Sequence, residues 1–307
     1  MFVSIKNCRW NLALLLALAC QATVSARQAL KPLPAPATVQ SNALGVRDAK
    51  GEYTAEKLQR FFKNEISLYK IAIDGKSKPP VLKEEPLINW QNPERQAEQG
   101  SFYIWLDEGR PAVVVSIFSY VYNEVTYRRH ELISFCDKPM KASFDGDIVW
   151  KPIAAATTGT VVEDVGEPAA AAPRRLTQMR TIARELNGRL MLQPPTVLKL
   201  MTTPLLRYES EANGVIDGAI FSLAVVTDPE ILLAIEARKG KDGVKWFVTP
   251  FRSHFAGLEL EYRGKTLWRA EDKQDLANTG PMQLPYAAEP FFVFTPKKRL
   301  PSAENLE

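Results

Sequence analysis

The chain has 307 residues, 46% of them apolar, with 39 basic and 35 acidic side chains and two histidines. A near-neutral balance without a gathered basic stripe argues against nucleic-acid binding. Two of the three cysteines lie within the first twenty residues, which excludes a disulfide framework and leaves stability to an ordinary apolar core.

Lys6 and Arg9 precede the apolar run Leu12 to Ala19, and Val24-Ser25-Ala26 places small residues at a cleavage position. That order predicts a signal peptide over residues 1–26 and an exported product, periplasmic or extracellular. The run is about half of the ~20 residues a bilayer span needs, so no transmembrane span is expected. A second cut is open, because Leu16-Ala17-Leu18-Ala19-Cys20 is similar to a lipoprotein box; Cys20 would then carry a lipid anchor in the envelope. After cleavage at Ala26 the single thiol is Cys136, expected to be buried at a strand end.

Residues 27–50 are rich in Pro and Ala and read as a tether. A first unit, 51–152, opens with a helix that Thr54 can cap and that carries Leu58, Phe61, Phe62 and Ile66 on one face. Ser101–Leu106 and Ala112–Tyr122 then flank the turn Asp107-Glu108-Gly109-Arg110-Pro111 as a hairpin, and Tyr127–Phe135 continues the sheet. Met140–Phe144, the turn Asp145-Gly146 and Ile148–Trp150 make a second hairpin. Residues 153–173 read as a linker. The second unit, 174–271, starts with a helix carrying Leu176, Met179, Ile182 and Leu186, with Gly188 placed to stop it. A tail, 272–307, holds one short strand, Phe291–Phe294.

Displacing the chain by 118 residues lays Pro86 on Pro204, Trp90 on Tyr208, Gly100 on Gly218, Pro111 on Pro229, Gly146 on Gly264 and Trp150 on Trp268. Only seven positions from Pro86 to Trp150 are identical, but they fall on turns, a loop proline and aromatics. The expected fold class is α+β: two similar units, each an amphipathic helix plus a mainly antiparallel sheet, related by tandem duplication. The alternative is that any two such halves share turn residues. On the strand from Val113 to Tyr122 both faces are apolar, so the helix covers one and the other must meet the second unit, a partner or a ligand. Its counterpart, Ile231 to Arg238, ends in Glu236 and Arg238 and reads as an edge emerging into water.

Chemistry-bearing constellations are sparse. His130 and His254 do not superpose under the displacement, neither has metal ligands at motif spacing, and a structural or surface role is expected of each. Asp145 and Asp147 flank a turn glycine, and no Gly-x-Ser-x-Gly elbow occurs. No metal or cofactor is expected. Tyr103, Trp105, Tyr120 and Tyr122 are the candidate ligand-binding residues, a stacking platform for a sugar or other flat ligand, with a role in the core as the alternative.

Gly100-Ser101-Phe102-Tyr103-Ile104-Trp105 with Gly109-Arg110-Pro111, then Arg174-Arg175-Leu176-Thr177-Gln178-Met179-Arg180, and Thr227-Asp228-Pro229-Glu230 resemble a family of exported bacterial proteins without an assigned activity. The resemblance implies the compartment and no site. The expected function is a non-enzymatic binding or protein-interaction module of the cell envelope, its partner an envelope protein or a small ligand. The alternative is an extracytoplasmic hydrolase with carboxylates in the cleft between the units.

Overall fold

The structure is a computed structural model that describes residues 46–48, 51–95, 98–122, 125–153, 159–273, 288–296, 300–301 and 305–306. The expected signal peptide, Cys20 and most of the tether lie outside these residues. Among the described residues no helix is long and apolar enough to cross a membrane.

In the first half, β1 (Val46–Asp48) pairs with β2 (Gly51–Tyr53) ahead of α1 (Ala55–Ile66). The Thr54 hydroxyl caps α1 by accepting from the Lys57 N–H, and Leu58, Phe62 and Ile66 form its buried stripe. Then come β3 (Tyr69–Ile73), β4 (Val81–Leu82), β5 (Ile88–Asn92), β6 (Glu98–Asp107), β7 (Arg110–Tyr122), β8 (Val125–Ser134), β9 (Met140–Phe144) and β10 (Asp147–Trp150). The turns Glu108-Gly109 and Asp145-Gly146 have positive φ at both residues, the geometry whose twist matches a two-residue hairpin.

β11 (Thr160–Val162) follows the first half; the second half holds α2 (Ala172–Arg184), β12 (Leu186–Leu190), β13 (Thr196–Val197), β14 (Lys199–Ser210), β15 (Val215–Val225), β16 (Asp228–Gly240), β17 (Gly243–Arg252), β18 (Leu258–Tyr262) and β19 (Lys265–Ala270), and β20 (Phe291–Phe294) follows it. Gly188 does not stop α2, which ends at Arg184; it lies within β12 because a Cβ there would come within 2.7 Å of Leu223.

Strands dominate. The sheets are antiparallel, as expected, but with two α-helices among the described residues the class is mostly β rather than α+β: each half spends one helix on covering its sheets and most of its remaining length on strands. The large sheets run β20-β8-β7-β6-β4, with β5 also on β6, and β11-β17-β16-β15-β14; the small ones run β10-β9-β3 and β13-β12-β18-β19.

Three apolar cores separate these layers. One lies between α1, the small sheet of the first half and the outward face of the first large sheet. A second does the same for α2 and the second large sheet. The third lies between the two large sheets, where Phe102, Ile104, Val114, Phe118, Ile133 and Phe135 meet Tyr208, Ile220, Leu232 and Phe251. The second apolar face of β7 is thus covered by the second half. Glu236, expected at an edge, is fully buried on the central strand β16, because Arg110, Tyr208 and Arg238 satisfy its carboxylate there.

The segment expected as a linker carries β11, which pairs with β17, and the segment expected as a tail carries β20, which pairs with β8. Elements recur at a constant distance: Arg110 and Asp228 open equivalent strands, and Val125 and Gly243 open the next. Among the described residues, the non-glycine residues of positive φ form two pairs at that same distance, Glu108 with Val226 and Asp145 with Arg263. The described residues form one compact unit.

Candidate functional site

Of the aromatic candidates, Tyr103 and Trp105 share one face of the sheet and Tyr120 lies on the other. Tyr103 and Trp105 point to the outward face of the first large sheet and are 1% and 4% exposed in the core under α1. Tyr120 lies on the opposite face, half-buried, stacked on Tyr127 at 5.6 Å with the Arg129 guanidinium 4.7 Å from its ring. The side chain of Tyr122 lies outside the described residues. The positions equivalent to Tyr103 and Trp105 in the second half are Phe221 and Leu223, both buried under α2. That face of the sheet takes any large apolar ring or chain, which accounts for the two aromatics without a ligand.

A polar cluster that the sequence does not announce lies beside them. Glu65, in the last turn of α1, turns into the core rather than to water. Its Oε1 is 2.6 Å from Arg128 Nε and its Oε2 is 3.2 Å from His130 Nε2, both on β8. Tyr69, opening β3, places its hydroxyl 2.8 Å from His130 Nδ1. Burial holds His130 below the usual imidazole range, aided by Arg128 and opposed by Glu65. A neutral imidazole has one N–H, and a carboxylate can only accept. His130 therefore donates from Nε2 to Glu65 and accepts the Tyr69 hydroxyl at Nδ1. Burial, and then the charge of Glu65, pushes the Tyr69 phenol well above its ordinary value, so it stays a donor. The rings of Phe144 and Phe294 close over His130 at 5.1 and 5.0 Å.

The cluster opens on a cavity of about 270 Å³. Glu65 and Arg128 form its polar wall; Leu68, Phe144, Val149, Phe294 and Pro296 form its apolar walls; Asp145 and Asp147 of the β9–β10 hairpin stand at it as well. Comparison with protein-family models, with characterised proteins and with solved structures finds no match to this chain. The reading of this site rests on its own chemistry.

The second half supplies an internal comparison. Tyr69 pairs with Phe144 as Leu186 pairs with Tyr262, so Leu186 takes the place of Tyr69. Trp246 and Val248 take the places of Arg128 and His130, and Ile182, with Ala183 beside it, takes that of Glu65. All are buried in the second core. The same framework therefore closes with apolar side chains, and such a filling is commonly as stable as a buried ion pair or more so. The second half thus closes the equivalent positions without charged groups.

Sequence reasoning passed over Glu65 because it sits one helical turn from Phe61 and Phe62, where a carboxylate at a helix C-terminus reads as solvated. Two signals were present: Glu65 lies among the apolar stripe positions, and the pair Arg128 and His130 alternates on a strand face whose partner half carries Trp246 and Val248. Cys136 is buried after β8, and burial pushes its thiol up, which leaves it unreactive.

Proposed function

We propose that the chain is an exported, non-enzymatic binding module of the cell envelope, formed by tandem duplication, in which the first half binds a small ligand in the cavity beside Glu65, Arg128, His130 and Tyr69. One observation carries this reading: a buried ionic network next to a 270 Å³ cavity occurs in one half, where the equivalent positions of the other are apolar core. Duplicated halves that diverge at one site keep the costly residues where they serve a purpose other than folding. The recurrent turns and matching sheet orders support the duplication, and the leader Leu12 to Ala26 supports export.

A hydrolase with its acids between the halves is less well supported. Asp228, Glu230 and Glu236 lie between the large sheets, but they are buried and engaged by Arg95, Arg110 and Arg238 rather than lining an open cleft. The test is a thermal-shift screen of sugars, amines, carboxylates and short peptides on the mature chain, repeated on Leu68→Trp, which fills the cavity from its rim. A ligand that stabilises the wild type and not the variant supports the site. A shift that survives Leu68→Trp, or no shift with any class, removes it. N-terminal sequencing of the secreted product separates a start at Arg27 from a lipidated Cys20.

A further inference from the structure

At one end of the contact between the large sheets, two acids of the second half meet one arginine of the first. Arg95, in the turn after β5, places Nη1 3.2 Å from Asp228 Oδ2 and Nη2 2.7 Å from Glu230 Oε1. Asn92 Nδ2 donates to Asp228 Oδ2 at 3.2 Å. Asp228 and Glu230 are two residues apart on β16 and so share a face. Glu230 is fully buried and Asp228 nearly so.

The charged surroundings complete the count. Glu131 on β8 faces Glu230, and its charge adds to the push on that carboxyl; Arg252 on β17 faces Asp272, Glu131 and Glu289. Arg252 spends its N–H groups on the carbonyls of His254, Phe255, Ala256 and Glu271. His254 accepts from the Ala256 N–H at Nδ1, and burial, then Arg95 and Arg252, keep it neutral. Asp228 and Glu230 bring two buried carboxylates to the one guanidinium of Arg95, so with both ionised one of the two charges would lie buried in excess of that cation, a state proteins avoid by binding a proton.

We infer that Asp228 and Glu230 share one proton at neutral pH, and that this proton is a latch: its loss on alkalinisation loosens this end of the contact between the two halves. Burial pushes Asp228 up to about 7 against the pull of Arg95 and Asn92, and burial together with the charge of Asp228 pushes Glu230 well above its ordinary value. The other end behaves oppositely. There Glu236 faces both Arg110 and Arg238, and although burial opposes it they hold its carboxyl below the usual range, so that clamp stays ionised. Arg110 and Asp228 occupy equivalent positions in the two halves, so a reversal of charge at one repeated position makes one end permanent and the other proton-dependent.

The backbone beside the latch is strained. Val226 has φ 55, a conformation β-branched residues avoid, and the next residue, Thr227, is held by Gln91: its hydroxyl accepts from the Gln91 N–H and donates to the Gln91 carbonyl, each at 2.9 Å. A turn under strain and tied across the contact is the element that opens first when the tie weakens.

The test compares thermal unfolding of the full mature chain and Asp228→Asn at pH 6 and pH 8. Asp228 has a folded-state value above its unfolded one, so its contribution is present at low pH and lost as pH rises through about 7. The buried histidines change both proteins alike and cancel in the difference. The melting temperature of the variant relative to the wild type should rise by about 3–5 °C between pH 6 and pH 8. A difference independent of pH overturns the latch. Where Asp228→Asn fails to fold, infrared spectra of the wild type decide: the carbonyl band of a protonated carboxylic acid should be present at pH 6 and weaker at pH 8, with faster exchange of the Gln91 amide at pH 8. Its absence at pH 6, an equal band at the two pH values, or unchanged exchange of the Gln91 amide overturns the proposal.

Discussion

The indole of Trp90 lies across the strand pair against Gly100, so close that a Cβ on the glycine would sit 2.8 Å from Cε2 of the ring. Tyr208 covers Gly218 in the same way in the second half, with ring carbons 2.7 Å from the position of a Cβ. The glycine is needed at each site because an aromatic ring occupies the volume its side chain would take, and the ring seals a gap that the glycine leaves in the sheet. At Gly100 the Cβ would also meet the Phe118 Cβ at 2.6 Å and the Ile117 carbonyl at 2.7 Å, so neither neighbour can yield cheaply. Gly100→Ala should cost roughly 2–3 kcal/mol in urea unfolding. Gly240→Ala, where the nearest atom is the Gly243 carbonyl at 3.6 Å, should change stability by less than about 0.5 kcal/mol.

The network beside the cavity predicts a non-additive pattern. Glu65→Ala takes the buried carboxylate away from Arg128 and from His130, and should destabilise by about 3–5 kcal/mol. Replacing all four residues with apolar ones, Glu65→Ile, Tyr69→Leu, Arg128→Leu and His130→Val, imitates the second half and should cost much less than the sum of the single changes. Both proteins should lose the cavity ligand. A quadruple variant as damaged as the added singles would mean that the charges are needed for folding.

Much of this architecture was legible because it is locally encoded. Thr54 before a spaced apolar stripe, Asp145-Gly146 between two short strands, and a two-faced apolar β7 each announce their structure within a few residues. What covers a strand face is not local. Alternation put Tyr103 with Trp105 on one face of β6 and Tyr120 with Tyr122 on one face of β7, but that the first pair lies under the helix and Tyr120 on the side of the second large sheet depends on distant segments. Glu236 read as solvated because the arginine that pairs with it, Arg110, is 126 residues earlier. Gly188 read as a helix stop because its contact with Leu223 is invisible to a search for caps. The candidate site was hidden for the same reason: its groups lie on α1, β3 and β8 and meet only in the folded chain.

Acidification should weaken the protein through its histidines. His130 and His254 are both held below the ordinary imidazole value, chiefly by burial. Below about pH 6.5 the unfolded chain binds protons that the folded chain refuses, so the stability they contribute is full above that pH and is lost as pH falls. Urea midpoints between pH 7 and pH 5 should fall in the wild type and fall less in His130→Phe or His254→Asn. An equal decline in all three would assign the acid sensitivity to other groups.

Val226 offers a stabilising change. Its φ of 55 carries the penalty that an L-residue with a branched Cβ meets in the left-handed region, on the order of 1–2 kcal/mol. Val226→Gly removes that penalty and adds back part of it as unfolded-state entropy, for a net gain of roughly 0.5–1 kcal/mol. Chemical denaturation of the two proteins at one pH measures it. A loss of stability would show that the exposed valine side chain makes a contact worth more than the strain.

The last strand tests how the halves depend on one another. β11 follows the first half and pairs with β17 of the second, whereas β20 follows the second half and pairs with β8 of the first, so each half lends the other an edge strand. The two loans are unequal. β11 brings one buried side chain, Val162, with Val161 exposed, while Phe291, Phe292, Val293 and Phe294 of β20 are all buried. Phe292 and Phe294 enter the core under α1, and Phe291 and Val293 enter the core between the large sheets, so two of the three cores are completed by one strand. At roughly 1.5–3 kcal/mol for each large side chain buried, its loss rivals the net stability of a whole domain. A chain ending at residue 287 should therefore be unfolded or aggregated, with the β8 edge open to pairing with other chains. Val162→Ala should cost only about 1–2 kcal/mol. Adding a synthetic peptide of residues 288–301 to the shortened chain during refolding should restore the near-ultraviolet aromatic signal, because the pairing with β8 and the four buried side chains all reside in that segment. A shortened chain that stays soluble and cooperatively folded without the peptide would show that the first half closes its own cores.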